Sequence, residues 1–243
     1  MALYAIADLH LSTLSSTNKS MEVFGHRWQD YTSRIEASWK RLVGADDTVV
    51  VGGDISWALT LEEATEDIKF IDRLPGKKIF LKGNHDFWWS TMKKHAEHFE
   101  RNGITTVSFL FNNAHECEDF IIAGTRGWFF DEKNQRTQNP ADFDKLVARE
   151  ILRFKTSLTE AAALREATGK EIIAFMHFPP VFAGFVSEGL ISLMKEYGVK
   201  RLYYGHIHGN YTIAPTFTYE GIEMSIISAD YLSFVPKHID KRV

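Results

Sequence analysis

A chain of 243 residues is long enough for one domain with its own core, since a protein of this size buries roughly 70–75% of its unfolded surface. Lys plus Arg is 28 against Asp plus Glu 32, a formal net charge of −4, which excludes a protein built mainly to grip long nucleic acid by its phosphates. The single cysteine, Cys117, excludes an internal disulfide, and no apolar run is long enough to span a bilayer.

The chain opens MALYAIADLH, with no basic stretch of the kind a signal peptide carries, so a cytoplasmic protein with no membrane partner is expected. Residues 3–7 of this opening read as a buried strand. Tyr31, Ile35, Trp39 and Leu42 then share one face of a helix, and 48–52 is a second strand. Thr60 and Glu63 have capping-box spacing ahead of the stripe Leu61, Ala64, Ile68 and Ile71, which Pro75-Gly76 ends. After a strand at 78–81, the stripe Trp88, Met92, His95 and Phe99 predicts a helix closed by Gly103. Residues 105–112 and 120–123 are expected to pair as a hairpin around the acidic turn 115–119. A helical stretch runs from Pro140 to Gly169, either continuous or restarted at Ser157-x-x-Glu160. Strands at 172–176 and 201–204 flank a helix from Ser187 to Tyr197 that ends at Gly198. Beyond residue 210 the pattern is strand-like again, at 211–219 and 223–228. The mixture is α/β, with helix-covered sheets and antiparallel additions, and nothing resembling a linker divides residues 1–243 into more than one domain.

The chemically capable residues follow the strands. Asp8 and His10 come after 3–7, Gly53-Asp54 after 48–52, and Gly83-Asn84-His85-Asp86 after 78–81. His177 follows 172–176, and Gly205-His206-Ile207-His208 follows 201–204. Ligands of open α/β sheets bind beyond the carboxyl ends of strands, so these side chains are expected in one region. Imidazole, carboxylate and amide donors together suit two borderline divalent ions such as Mn, Fe or Zn, and the set lacks the thiolates of a structural zinc site. Two dications held by so few carboxylates would leave a positive site attractive to phosphate.

These five blocks, in this order over residues 8–208, resemble the signature of calcineurin-like metallophosphoesterases. The resemblance implies a sandwich of two mixed β-sheets flanked by helices. It implies that Asp8, His10 and His208 hold one metal ion, that Asn84, His177 and His206 hold a second, and that Asp54 bridges them. Hydroxide bridging the metals would attack the phosphorus of a monoester or diester. His85 would protonate the leaving oxygen, and Asp86 would orient His85. A small phosphorylated substrate is expected. The alternatives are a nuclease for short nucleic acids, or a non-catalytic binding module of the same fold.

Other residues read less sharply. His26, His95, His98 and His238 are expected to be ordinary surface or hydrogen-bonded histidines, and His115 and Cys117 part of a solvated turn. Trp57, Phe87, Trp88, Trp89, Phe178, Phe182 and Trp128 either stack on a ligand or pack the core, with the core expected for most. Arg126 either reaches a phosphate or makes a surface ion pair. Residues 11–30 form either a lid or a long connection, and with 126–139 they are the expected seat of selectivity.

Overall fold

The computed structural model describes residues 1–13, 20–128 and 140–241, with 140–142 described by backbone alone. The apolar runs of the first third become the parallel strands β1 (Leu3–Ile6), β2 (Thr48–Val51) and β3 (Lys77–Phe80). That sheet is completed by β4 (Val107–Phe109), parallel to β3, and by β13 (Lys237–Ile239), antiparallel to β1. In the second sheet β6 (Phe120–Thr125), β7 (Glu171–Met176), β10 (Arg201–Tyr204) and β12 (Ile222–Ile226) are parallel. Its edges are β5 (Ala114–Glu116) and β11 (Thr216–Tyr219), each antiparallel to its neighbour. A short hairpin joins β8 (Val181–Phe182) to β9 (Phe185–Val186).

Strand side chains alternate between faces, and the alternation sorts them into three cores. Leu3, Ala5, Val50, Ile79, Ile122, Ile173 and Phe175 fill the space between the sheets. Ile6, Val49, Val51 and Phe80 face the opposite way, where they pack with Ile35 and Trp39 of α1 (Tyr31–Leu42) and Ile68 and Ile71 of α2 (Thr65–Asp72). Phe99 of α3 (Met92–Asn102) joins them. On the far face of the second sheet, Ile121, Ala123, Ile172 and Ala174 pack against Phe154 and Leu158 of α4 (Pro140–Thr168) and Leu190 and Met194 of α5 (Glu188–Glu196). Burying one such large side chain stabilises by about 1.5–3 kcal/mol. The result is the expected α/β sandwich of two mixed sheets flanked by helices.

Five local expectations change, one of them the strand at 211–219, which begins only at Thr216. Residues 107–109 do not pair with β6: Leu110 donates to the Phe80 carbonyl at 2.9 Å and keeps β4 in the first sheet. Asn112, at φ 59°, and Asn113, whose amide bonds the Phe109 carbonyl and the Phe111 N–H, then turn the chain across to β5. β5 takes His115 and Glu116 out of the expected turn and pairs with β6 instead. Trp88 precedes α3, whose cap is Thr91, because its indole is drawn to Asp86. The Thr60–Glu63 capping box forms, but regular helix begins only at Thr65. α4 is continuous: the Ser157 hydroxyl accepts from Gly124 N–H at 2.9 Å and donates to the Asn113 carbonyl at 2.6 Å, so it ties the helix to the sheet.

Candidate metal centre

The carboxyl ends of the parallel strands meet at one rim. Beyond β1 and β2 the two chains run on together, with N–H donors of Asp8, His10 and Leu11 bonded to the carbonyls of Gly53, Asp54 and Ile55 at 2.8–2.9 Å. Ala7 N–H donates to Ile227 and Ala229 N–H to Ala7, both at 2.8 Å, which stitches the first sheet to the second here. Asp8, His10, Asp54 and His206 all take left-handed backbone, at φ 61°, 45°, 51° and 69°. Non-glycine residues rarely sit there, and such strain gathers at functional sites. Two glycines are required by close approach: a Cβ on Gly83 would overlap the Asp54 carboxylate, and one on Gly205 would lie 2.6 Å from Asp8 Oδ2.

The side chains form two groups. Asp8, His10 and His208 place one donor atom each within 4.8 Å of one another, and so do Asp54, His177 and His206. Asp54 lies between the groups, its Oδ2 3.7 Å from His10 Nε2 and 3.5 Å from His177 Nε2. Asn84 Oδ1 is 2.7 Å from His177 Nε2 and 2.9 Å from His206 Nδ1. All seven expected ligands are therefore together, and His206 and His208, two residues apart, serve different groups. His85 stands beside them, its ring centroid 5.6 Å from that of His10 and its backbone N–H donating to Asp54 Oδ1 at 2.7 Å.

The donor set fits divalent cations. Asp8 and Asp54 are essentially fully buried, and buried carboxylates need cationic partners. Burial works against their ionised forms, yet His208 holds Asp8 and His177 holds Asp54 below the ordinary carboxylate range. Burial pushes the rings of His10 and His206 down to about 4 and about 3, so both are neutral donors at pH 7. Burial also opposes charge on His208, but Asp8 and then Asp230 push it up to about 10. His10 Nε2 and His208 Nε2 face each other 3.1 Å apart, an arrangement that needs a proton or a cation at the nitrogens.

Two carboxylates act behind this layer. The orienting role expected of Asp86 toward His85 is not what its contacts provide. Its oxygens accept instead from the N–H groups of Asp54, Ile55, Ser56 and Gly83 and from Trp88 Nε1, at 2.8–3.3 Å. Burial and then the Asp54 charge push it up to about 6, and the N–H donors work against that rise. Asp86 is thus a positioning residue that clamps the Asp54 and Asn84 turns together. Asp86→Ala would leave several buried donors unsatisfied at about 1–3 kcal/mol each. The expected result is a clear fall in the urea midpoint of unfolding.

Asp230 escaped the sequence reading. It is fully buried just past the end of β12, with Oδ1 3.0 Å from His208 Nδ1 and Oδ2 accepting from Gly209 N–H and the Tyr211 hydroxyl. This leaves His208 Nε2 to face Asp8 and His10, as carboxylates behind metal-binding histidines do. The Gly52 carbonyl does the same for His177 Nδ1 at 3.1 Å. The signal was available, since Ser228-Ala229-Asp230 is another polar residue just past a strand. Asp230→Asn is expected to weaken Mn binding about 10–100-fold, read by calorimetric titration of metal-stripped protein. Unaltered affinity would remove Asp230 from the site.

Trp57 stacks on His10 at 4.8 Å and tilts over His85 at 4.5 Å, while Phe87 is 59% exposed beside His85. Trp88 is core. Trp28 packs on His10 and His208, Tyr31 donates to the His10 carbonyl, and Arg27 donates to the Asp230 carbonyl. The 20–30 stretch is therefore a wall behind the ligands, and 14–19 lie outside the described residues. The expected selectivity segment likewise falls outside them over 129–139. Among the described residues no helix is long and apolar enough to cross a membrane.

The sequence model of calcineurin-like phosphoesterases matches residues 1–210. No curated protein matches the chain. Among solved structures, TT1561 of Thermus thermophilus is similar with a TM-score of 0.55 at 10% identity, over 99% of this chain and 98% of that one. Phosphopantetheinyl hydrolase (PptH) from Mycobacterium tuberculosis is similar with a TM-score of 0.52 at 16% identity, over 99% and 96%. At such identities these likenesses show a shared fold.

Proposed function

The chain belongs to the calcineurin-like phosphoesterase family, and on that premise we propose that it is a cytoplasmic phosphohydrolase cleaving small phosphomonoesters or phosphodiesters with two divalent cations, Mn foremost. The observation that carries this reading is the position of Asp54, whose carboxylate lies between two groups of Asp and His donors drawn from both sheets. Asp8, His10 and His208 would hold one cation, Asn84, His177 and His206 the other, and Asp54 both. When bound, the cations would supply Lewis acidity: a more acidic water and compensation of phosphoryl charge. The residues of the chain do the rest. Asp230 and the Gly52 carbonyl fix the rings of His208 and His177, and Asp86 fixes the loops. His85, its backbone bonded to Asp54 and its ring under Trp57, is the proton donor to the leaving oxygen. That a phosphopantetheinyl hydrolase is built on a similar fold is consistent with hydrolysis on this scaffold.

The test compares bis-p-nitrophenyl phosphate with p-nitrophenyl phosphate, using metal-stripped protein with and without Mn. Mn-dependent release of p-nitrophenol supports the proposal, and the preferred ester assigns the class. Binding of Mn without turnover of either ester would favour the binding module.

A further inference from the structure

The carboxyl ends of β3 and β6 carry a second concentration of charge. A cleft there is lined by Lys82, Phe111, Asn112, Arg126, Glu150 and Arg153. It adjoins the metal centre. The register Thr125↔Met176 sets Arg126 beside His177 on strands roughly 4.8 Å apart, and Phe178 N–H donates to the Arg126 carbonyl at 2.9 Å. Lys82 directly precedes Gly83-Asn84 on the loop after β3. The Asp54 carboxylate is among the charges felt at the Arg126 guanidinium.

Among the described residues that line this cleft, positive charge outnumbers negative. Glu150 is 1% exposed and already accepts from the Thr125 hydroxyl at 2.6 Å and Arg153 Nη1 at 2.8 Å. Arg126 Nη2 and Arg149 Nε approach it only to 3.7 and 3.6 Å. One carboxylate thus faces three arginines, with Lys82 alongside. Arg126 Nε is buried without a hydrogen-bond partner. Among the described residues no hydrogen bond or ion pair reaches the Lys82 ammonium. Trp128 lies 4.8 Å from the Arg126 guanidinium, and Phe111 lies 5.1 Å from that of Arg153, so aromatic rings steady both. If Arg126 served only to neutralise Glu150, it would bond the carboxylate directly, as Arg153 does. Its unpartnered donor and, among the described residues, the surplus of positive charge lining the cleft are what an oxyanion would satisfy.

We propose that Lys82, Arg126 and Arg153 form an anion subsite beside the metal centre, which holds a second phosphate of the substrate while the first is transferred. This rests on the phosphohydrolase reading and narrows it: the preferred substrates carry two phosphate groups. Lys82 and Arg126 are then specificity residues.

Two measurements test it independently. In the first, inorganic phosphate is titrated calorimetrically into metal-stripped protein. Wild type should bind it, Lys82→Ala and Arg126→Ala about ten-fold more weakly, as expected for loss of a charge-assisted hydrogen bond. Arg126→Lys should restore part of the loss. No binding by wild type, or equal binding by all variants, would overturn the subsite. In the second, Mn-loaded protein is assayed on adenosine 3′,5′-bisphosphate and on p-nitrophenyl phosphate. Arg126→Ala should lose about ten-fold more kcat/KM on the bisphosphate than on the single ester. Equal losses would put Arg126 on the transferred phosphoryl group and contradict the proposal. Failure of wild type on every ester would count against the phosphohydrolase reading, and the calorimetry would still decide the cleft.

Discussion

Asp54→Asn is expected to lower Mn-dependent ester hydrolysis by about 10³-fold or more, the equivalent of several kcal/mol of lost charge stabilisation. The carboxylate has two duties that an amide cannot perform together. Its Oδ2 stands between His10 and His177, at 3.7 and 3.5 Å, where one charged group serves both donor sets. Its Oδ1 accepts the His85 backbone N–H at 2.7 Å and so ties the proposed proton donor to the same carboxylate. An asparagine amide in its place would keep one acceptor and lose the charge, so the fold should survive while metal occupancy and turnover fall together. Assay of purified Asp54→Asn on both nitrophenyl esters, with metal content read by mass spectrometry, checks both. A rate within ten-fold of wild type, with two ions still bound, would show that Asp54 is not the shared ligand.

His85→Ala should separate what Asp54→Asn joins: turnover falls by about 10²–10⁴-fold while metal content holds. Among the described residues His85 belongs to neither donor group, and its ring lies against those of His10, Trp57 and Phe87, with centroids 5.6, 4.5 and 6.2 Å away. Burial lowers its pKa below the ordinary histidine value, with the Asp54 charge opposing. A proton donor must be protonated to act, so wild-type activity should decline as pH rises through the His85 pKa. That limb should vanish in His85→Ala. The loss should be smallest for the ester with the better leaving group, which needs least protonation. Loss of bound metal in His85→Ala would make the residue a ligand.

Much of the site was legible because its geometry is that of strand ends. Buried strands must be apolar, so a polar Asp, Asn or His at the end of each stood out from its own strand. Asp8, Asp54, Asn84, His177, His206 and His208 each follow such a run. What was lost lay in tertiary choices. Asp86 has the spacing of an orienting carboxylate, yet the nearest unsatisfied donors were the N–H groups of two tight turns, and these claimed it. Trp88 falls on a helical stripe, but its indole N–H found Asp86 at 2.9 Å and the helix began at Met92 instead. The pairing of β6 differs from the expected hairpin because an edge strand is chosen by contacts across the sandwich, and the turn at Asn112 and Asn113 is what moves the chain between sheets. Asp230 lay past β12, in a stretch with no histidine to draw notice, and β13 is too short to show a period.

Whether two cations share Asp54 at the junction of the sheets is decided by titrating metal-stripped protein with Mn while recording both stoichiometry and hydrolysis of bis-p-nitrophenyl phosphate and p-nitrophenyl phosphate. Two ions per chain are expected, with turnover of at least one ester appearing only as the second site fills. A single ion per chain with full activity, or two ions bound as tightly by Asp54→Asn as by wild type, would contradict that sharing.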